Sequence, residues 1–256
     1  AYEIYMGDWS SDVFSSDLAR RAGASGTIPP VRKARPLVMR CGAFGDIVLL
    51  TVLLRQLRLR LGERIDVVVS GPWARPLLES EPSVGEIFVL GSRRAPYWLS
   101  PGQRRLVRWL RTRAAGPTWY ADPGVGRELL LRGGIPDDHI CDERSLPIRP
   151  DETFTDRWIR FAGVTPRAFD GQLPRASETV RSAASLVVTP AARSGLEPWL
   201  AKRGLTGRRF VAIQAGNKRT MRPLRRKRAT NTKYWPEDRW AIWRSEERRV
   251  GKECRS

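Results

Sequence analysis

The sequence predicts a doubly wound α/β fold, and three observations carry that prediction. Residues 36–61, PLVMRCGAFGDIVLLTVLLRQLRLRL, run from a short apolar segment (Leu37, Val38, Met39) through a turn holding Gly42 and Gly45 into an apolar series at 47–61. This is the pattern of a strand, a glycine-bearing turn and a buried helix. Residues 65–70, IDVVVS, are a compact β-branched run suited to a second strand. Further apolar runs then alternate with helical stretches, as a parallel sheet with crossover helices requires.

In chain order, ARPLLES at 74–80 can form a short helix and EIFVL at 86–90 the third strand. Residues 91–103 read as a loop. A basic helix follows at 104–113, with Leu106, Val107, Trp109 and Leu110 on its apolar side. TWYAD at 118–122 is the fourth strand, leading into a glycine-rich turn at 123–126 and a helix at 127–132; HICD at 139–142 is a short fifth strand. Phe154, Trp158 and Phe161 recur at helical spacing in 154–164, which closes the first domain. Residues 165–186 are rich in Pro, Gly and Ser and suit an interdomain linker. A helix at 190–204, with Gly204 past its end, and a strand, RFVAIQAG at 209–216, then open a second Rossmann-like unit. That unit stops about 40 residues in, short of the roughly 100 a complete α/β domain needs.

The ends stand apart from this pattern. DWSSDVFSSDL at 8–18 and RSEERRVGKECRS at 244–256 resemble translations of the adapter oligonucleotides ligated in short-read sequencing. Residues 1–18 and 244–256 are therefore set aside before fold reasoning, and 19–35, small, Pro-bearing and basic, are expected to be a disordered lead-in. The chain as a whole carries a formal charge of +19. Such a balance suits nucleic acid, an anionic membrane surface or a phosphorylated substrate, and by itself chooses none of them. Cys41 and Cys141 lack metal-ligand spacing and argue for a reducing compartment. No segment holds the roughly 18 consecutive apolar residues of a membrane span; Arg55, Arg58 and Arg60 interrupt the longest apolar series.

Asp46 is the residue best placed for chemistry. It falls where the first strand's carboxyl end meets the helix N-terminus, in the crevice where open α/β sheets bind their ligands. A carboxylate there can take a proton from a hydroxyl, or can simply cap the helix. Gly42 and Gly45 permit a tight turn and a close approach to a ligand, although GAFG is not the GxGxxG dinucleotide fingerprint. Arg40 could meet an anionic acceptor or could be a solvated surface residue. Asp122, Arg127 and Glu128 border the PGVGR turn and could shape an acceptor site, though turn chemistry explains its glycines equally well. A second cluster, QAGNKRTMRPLRRKRATNTKYWP at 214–236, pairs a glycine turn after a strand with many cations. Backbone N–H groups and lysines in that setting suit a diphosphate whose charge grows as a leaving group departs. With His139 the only histidine, a Ser-His-Asp triad or a histidine metal cluster has little material.

The sequence around Asp46, an Arg-terminated strand followed by small residues, Phe44, Gly45-Asp46 and an apolar helix, resembles the opening of the family 9 glycosyltransferases, the heptosyltransferases of lipopolysaccharide inner core. VAIQAG at 211–216 and KYWPEDRW at 233–240 resemble a later strand-turn and Lys-x-Trp-Pro element of that family, in the same order. The resemblance covers 36–243 and implies a GT-B-like architecture with its second domain incomplete. It implies inverting transfer of heptose from ADP-heptose to a lipopolysaccharide-core or other glycolipid hydroxyl, with no cofactor beyond the nucleotide-sugar donor and no metal. Asp46 would be the general base, Lys233 would contact the donor phosphates, and Gly216 with Asn217 would form the small-residue turn. The loop before Lys233 is longer than the usual pattern, so Lys218 or Arg219 could share the phosphate role. The implied setting is the cytoplasm, with peripheral contact at the inner face of a Gram-negative inner membrane. The 256-residue chain as written is expected to have little or no transferase activity.

Two other readings stay open. One is a GT-B transferase with a different nucleotide-sugar donor. The other is a basic nucleic-acid-binding protein using 104–113 and 225–228 as phosphate contacts; no helix-turn-helix, zinc or aromatic-platform signature supports it.

Overall fold

The computed structural model of the chain describes residues 34–91, 95–122, 124, 126–176 and 183–209. Its internal contacts divide the chain into two units, Ala1–Thr189 and Pro190–Ser256.

The first unit is built on a five-stranded, wholly parallel sheet: β1 (Leu37–Arg40), β2 (Ile65–Ser70), β3 (Val84–Leu90), β4 (Thr118–Tyr120) and β5 (Ile140–Asp142). The spatial order is β3-β2-β1-β4-β5. Strand order therefore reverses between β1 and β4, and that reversal creates the crevice in such sheets. The helices are α1 (Phe44–Leu61), α2 (Ala74–Leu78), α3 (Pro101–Arg111), α4 (Gly126–Arg132) and α5 (Phe154–Gly163). Within this first unit the predicted strands and helices are all present, most within two residues of the expected bounds.

Side chains along each strand alternate between two buried layers, as the period of two demands. Val38, Val67, Val69, Trp119 and Ala121 face one layer with Leu50, Leu53, Leu54 and Leu57 of α1 and with Trp158 and Phe161 of α5. Leu37, Met39, Val68 and Tyr120 face the other, with Leu106, Val107 and Leu110 of α3 and Leu129 and Leu130 of α4. Each fully buried leucine of this kind contributes about 1.5–3 kcal/mol from apolar burial. Helix α1 is apolar nearly all round because it lies between the sheet and α5.

Local chemistry sets the helix ends. Gly62 ends α1 in the left-handed region, at φ 70°, and its N–H closes on the Arg58 carbonyl. Helix α3 starts at Pro101, three residues before the expected position. Ser100 Oγ accepts the Gln103 N–H there, and Pro101 occupies the first helical position, where its missing N–H costs nothing.

Two arginines of α1, which in sequence only interrupt an apolar run, bind the backbone at the end of α5 and in the segment after it. Arg60 donates to the carbonyls of Ala162, Val164 and Pro174. Arg55 donates to those of Ala183 and Ser185 and forms an ion pair with Glu81 at 2.6 Å. In the second unit the described residues form one helix, α6 (Pro190–Lys202), followed by Gly204 at φ 63°. The expected strand beyond its first residue, 210–216, and the basic cluster at 214–236 lie outside the described residues. No described helix is long and apolar enough to cross a membrane.

Candidate active site

Arg40 ends β1, and the chain turns through Cys41, Gly42 and Ala43 into α1. Asp46 is the third residue of the helix, with Ala43 at the cap position. The capping bond therefore runs backwards from the sequence expectation. The Ala43 N–H donates to Asp46 Oδ2 at 2.7 Å, so the carboxylate satisfies one of the helix's orphan donors without occupying the cap itself. Its other oxygen, Oδ1, accepts from Arg40 Nη2 at 3.1 Å. Each oxygen keeps an acceptor site, and the side chain remains 35% exposed.

Gly42 and Gly45 do different work. A Cβ on Gly42 would lie 2.4 Å from Asp46 Cβ and 2.7 Å from its Oδ2, so the close approach that Gly42 permits is that of Asp46 itself. A Cβ on Gly45 would meet nothing within 4 Å. The first turn of α1 is thus open at Gly45.

Arg40 is buried, 7% exposed, which corrects the reading of it as a solvated residue. Its Nη1 donates to the Ala121 carbonyl at 2.6 Å and lies 3.9 Å from Glu143 Oε2. Its guanidinium lies 5.5 Å from the Trp158 ring centroid and 5.9 Å from that of Phe154. Glu143 in turn accepts from Arg157 Nε at 2.9 Å. Two cations and two carboxylates thus alternate at the carboxyl edge of β1, β4 and β5, so the buried charges are compensated. Glu143, Arg157 and the Ala121 carbonyl were not picked out from sequence. Their one available signal was position, because Ala121 lies near the carboxyl end of the predicted fourth strand and Glu143 directly follows the predicted fifth.

Asp122 is buried just past β4, and its Oδ1 accepts the Gly124 N–H at 3.1 Å. The two neighbours with which it was grouped in sequence point elsewhere. Glu128 forms an exposed ion pair with Arg132, and Arg127 pairs with Asp137. Those pairs hold α4 and the following turn, and Arg127 also lies 3.8 Å from Asp142 at the end of β5. Burial pushes the Asp142 carboxyl up, but the hydrogen bonds and charge of Arg144 outweigh this and hold it below its usual range. Burial also raises the Cys141 thiol to about 12, so this cysteine is a packing residue. Gly216, Asn217, Lys218 and Lys233 lie outside the described residues. Among the described residues, no three His, Cys, Asp or Glu side chains come together as a metal site would.

A wholly parallel sheet whose strand order reverses between β1 and β4 is a Rossmann-like fold, matching that of GT-B glycosyltransferases. The fold is that of the family 9 glycosyltransferases: the chain is similar to the crystal structure of the glycosyl transferase family 9 from Veillonella parvula DSM 2008, with a TM-score of 0.55 and 15% identity over 86% of this chain and 61% of that one. It also aligns with E. coli ADP-heptose lps heptosyltransferase II, with a TM-score of 0.44 and 22% identity over 68% of this chain and 51% of that one. The chain therefore spans about three fifths of the first structure and about half of the second. No protein-family model matches the sequence, and no curated protein is similar enough to match it.

Proposed function

We propose that the described domain is the acceptor half of an inverting glycosyltransferase, in which Asp46 removes the proton from the acceptor hydroxyl as the nucleotide leaves. The observation that carries this reading is the geometry of Asp46. Its carboxylate is fixed at both oxygens yet open to solvent, at the point of the sheet where ligands bind. Arg40 ties the carboxylate to the backbone just past β4, through the Ala121 carbonyl.

The donor is proposed to be ADP-heptose and the acceptor a lipopolysaccharide-core or related glycolipid hydroxyl. This choice of donor and acceptor follows from the motif resemblance alone; the family 9 fold supports glycosyl transfer in general. Lys233, with Gly216, Asn217 and Lys218, would receive the donor diphosphate. The reaction needs one displacement, in which the acceptor oxygen bonds to the anomeric carbon, the carbon–phosphate oxygen bond breaks, and the acceptor proton passes to Asp46.

The test is a transfer assay on the natural gene product that contains this chain. Asp46→Asn keeps the side chain's shape and an acceptor for the Ala43 N–H, and is expected to lower kcat about 10²–10⁴-fold. Unchanged turnover would refute the general-base role. A panel of nucleotide sugars in the same assay decides the donor, and preference for a donor other than ADP-heptose would replace the heptosyl reading.

A further inference from the structure

The charges at the carboxyl edge of the sheet continue past Arg40 into α5. Glu143, in the short turn Glu143–Ser145 after β5, accepts from Arg157 Nε at 2.9 Å through Oε1, and its Oε2 lies 3.9 Å from Arg40 Nη1. Arg157 Nη2 also donates to the carbonyls of Glu143 and Leu146, at 3.0 and 2.9 Å. One guanidinium of α5 therefore fixes both the Glu143 side chain and the backbone that carries it. Beyond it, Glu152 accepts from Nε and Nη2 of Arg160 at 2.6 Å each and lies 3.9 Å from Arg157 Nη1. Asp46, Arg40, Glu143, Arg157, Glu152 and Arg160 thus alternate in sign from the crevice to α5.

Helix α5 meets Arg40 with more than charge. Phe154, Arg157, Trp158 and Phe161 recur at helical spacing, and two of these rings, Phe154 and Trp158, lie against the Arg40 guanidinium. Arg60 fastens the same helix to the last turn of α1, through the carbonyls of Ala162 and Val164. Arg40 itself is set by its Nη1, which takes the Ala121 carbonyl and faces Glu143, while Nη2 takes Asp46. Among the described residues, Asp46 and Glu143 are the carboxylates within 4.0 Å of Arg40. Without Glu143, the whole charge of a buried arginine would fall on Asp46.

We propose that Glu143 is a positioning residue for the transfer reaction. Braced by Arg157, it fixes the plane of the Arg40 guanidinium and shares its charge, so that Asp46 is aimed into the crevice and stays available as a base. The proposal rests on the general-base role of Asp46. A purely structural ion pair would stabilise the fold and leave the rate alone.

The experiment is the transfer assay on the natural gene product, with kcat and KM measured for each variant beside its thermal unfolding. Glu143→Gln keeps the side chain's shape and removes its charge, and is expected to lower kcat about 10- to 100-fold with acceptor KM nearly unchanged. Glu143→Asp keeps the charge and is expected to recover part of that loss. Arg157→Met is expected to lower kcat in the same way, and reads the same brace should Glu143→Gln fail to fold. On the Arg40→Met background, Glu143→Gln is expected to cost no further turnover, because its route to Asp46 is already gone. Glu81→Gln, which breaks the ion pair with Arg55, is expected to lower Tm with kcat unchanged. Lowered Tm with normal kcat in Glu143→Gln, or an undiminished effect on the Arg40→Met background, would overturn the proposal. If Asp46→Asn loses turnover while Glu143→Gln keeps it, this proposal alone fails; full turnover in Asp46→Asn removes the general-base role and this proposal with it.

Discussion

Two aspartate–arginine pairs sit at opposite edges of the same sheet, and they differ in one respect. At the amino edge, Asp66 at the start of β2 pairs with Arg113 at 2.9 Å, and the two side chains are only 6% and 4% exposed. Asp66 also accepts the Glu86 N–H, so the pair clamps β2, β3 and the chain entering β4. At the carboxyl edge Asp46 pairs with Arg40 at 3.1 Å, with the arginine 8% exposed and the aspartate 35%. The chemistry is the same. The sealed pair can only hold the fold together, whereas the open one presents a positioned carboxylate to whatever enters the crevice. Exposure of one partner is what separates a structural ion pair from a candidate catalytic one.

Breaking the sealed pair gives the largest expected effect on stability. Asp66→Ala leaves Arg113 buried beside a lost carboxylate and is expected to cost about 3–5 kcal/mol in denaturant unfolding. A loss as small as that of an exposed pair would erase the distinction. Arg40→Met comes next. It removes the bond to the Ala121 carbonyl and frees Asp46 to rotate, and is expected to cost about 2–3 kcal/mol and to lower kcat more than KM changes. Arg40→Lys should restore part of the turnover, since one donor can still reach Asp46.

The two turn glycines sharpen the contrast further. Gly42→Ala drives a methyl into the Asp46 side chain and is expected to destabilise by about 1–3 kcal/mol. Gly45→Ala, in the first turn of α1 with open space around it, should leave stability within about 1 kcal/mol of wild type. If that substitution nonetheless lowers acceptor affinity in the transfer assay, the open space is the acceptor's.

The smallest effect concerns acid. Burial pushes the Glu81 carboxyl up, but its hydrogen bonds from Arg55 and the Ser83 backbone outweigh this and leave it below its ordinary 4.5. A carboxyl lowered on folding contributes stability that is complete above 4.5 and drains away as pH falls through the lowered value. Glu81→Gln should flatten the acid limb of stability against pH by less than about 1 kcal/mol. A variant with an unchanged acid limb would show that the Arg55–Glu81 pair does not couple folding to pH.

Much of the fold was legible because its signals are local. The β-branched run IDVVVS could hardly be anything but a strand, and β2 occupies those six residues. Where the reading failed, the deciding partner was distant in sequence. Arg40 reads as a surface cation until Ala121, 81 residues away, supplies a carbonyl, and Glu143, Phe154 and Trp158 close over it. Arg60 looked like an interruption of an apolar helix, yet it is buried with its guanidinium spent on backbone carbonyls more than 100 residues further on. The early start of α3 was available locally, in the Ser100-Pro101 pair, and its signal was outweighed by the prolines and glycines around it.

By itself, the sequence determined the alternation of strands and helices, the glycine turn after β1 and the placement of Asp46 beside it. Propensity, periodicity and turn chemistry act within a few residues, so these features need no knowledge of the rest of the chain. Only the tertiary structure decided which charges are buried, which face their partners across the sheet and which remain open. Burial and ion pairing are set by residues brought together from remote parts of the chain, and it is burial that turns one Asp–Arg pair into a clamp and leaves the other free to work.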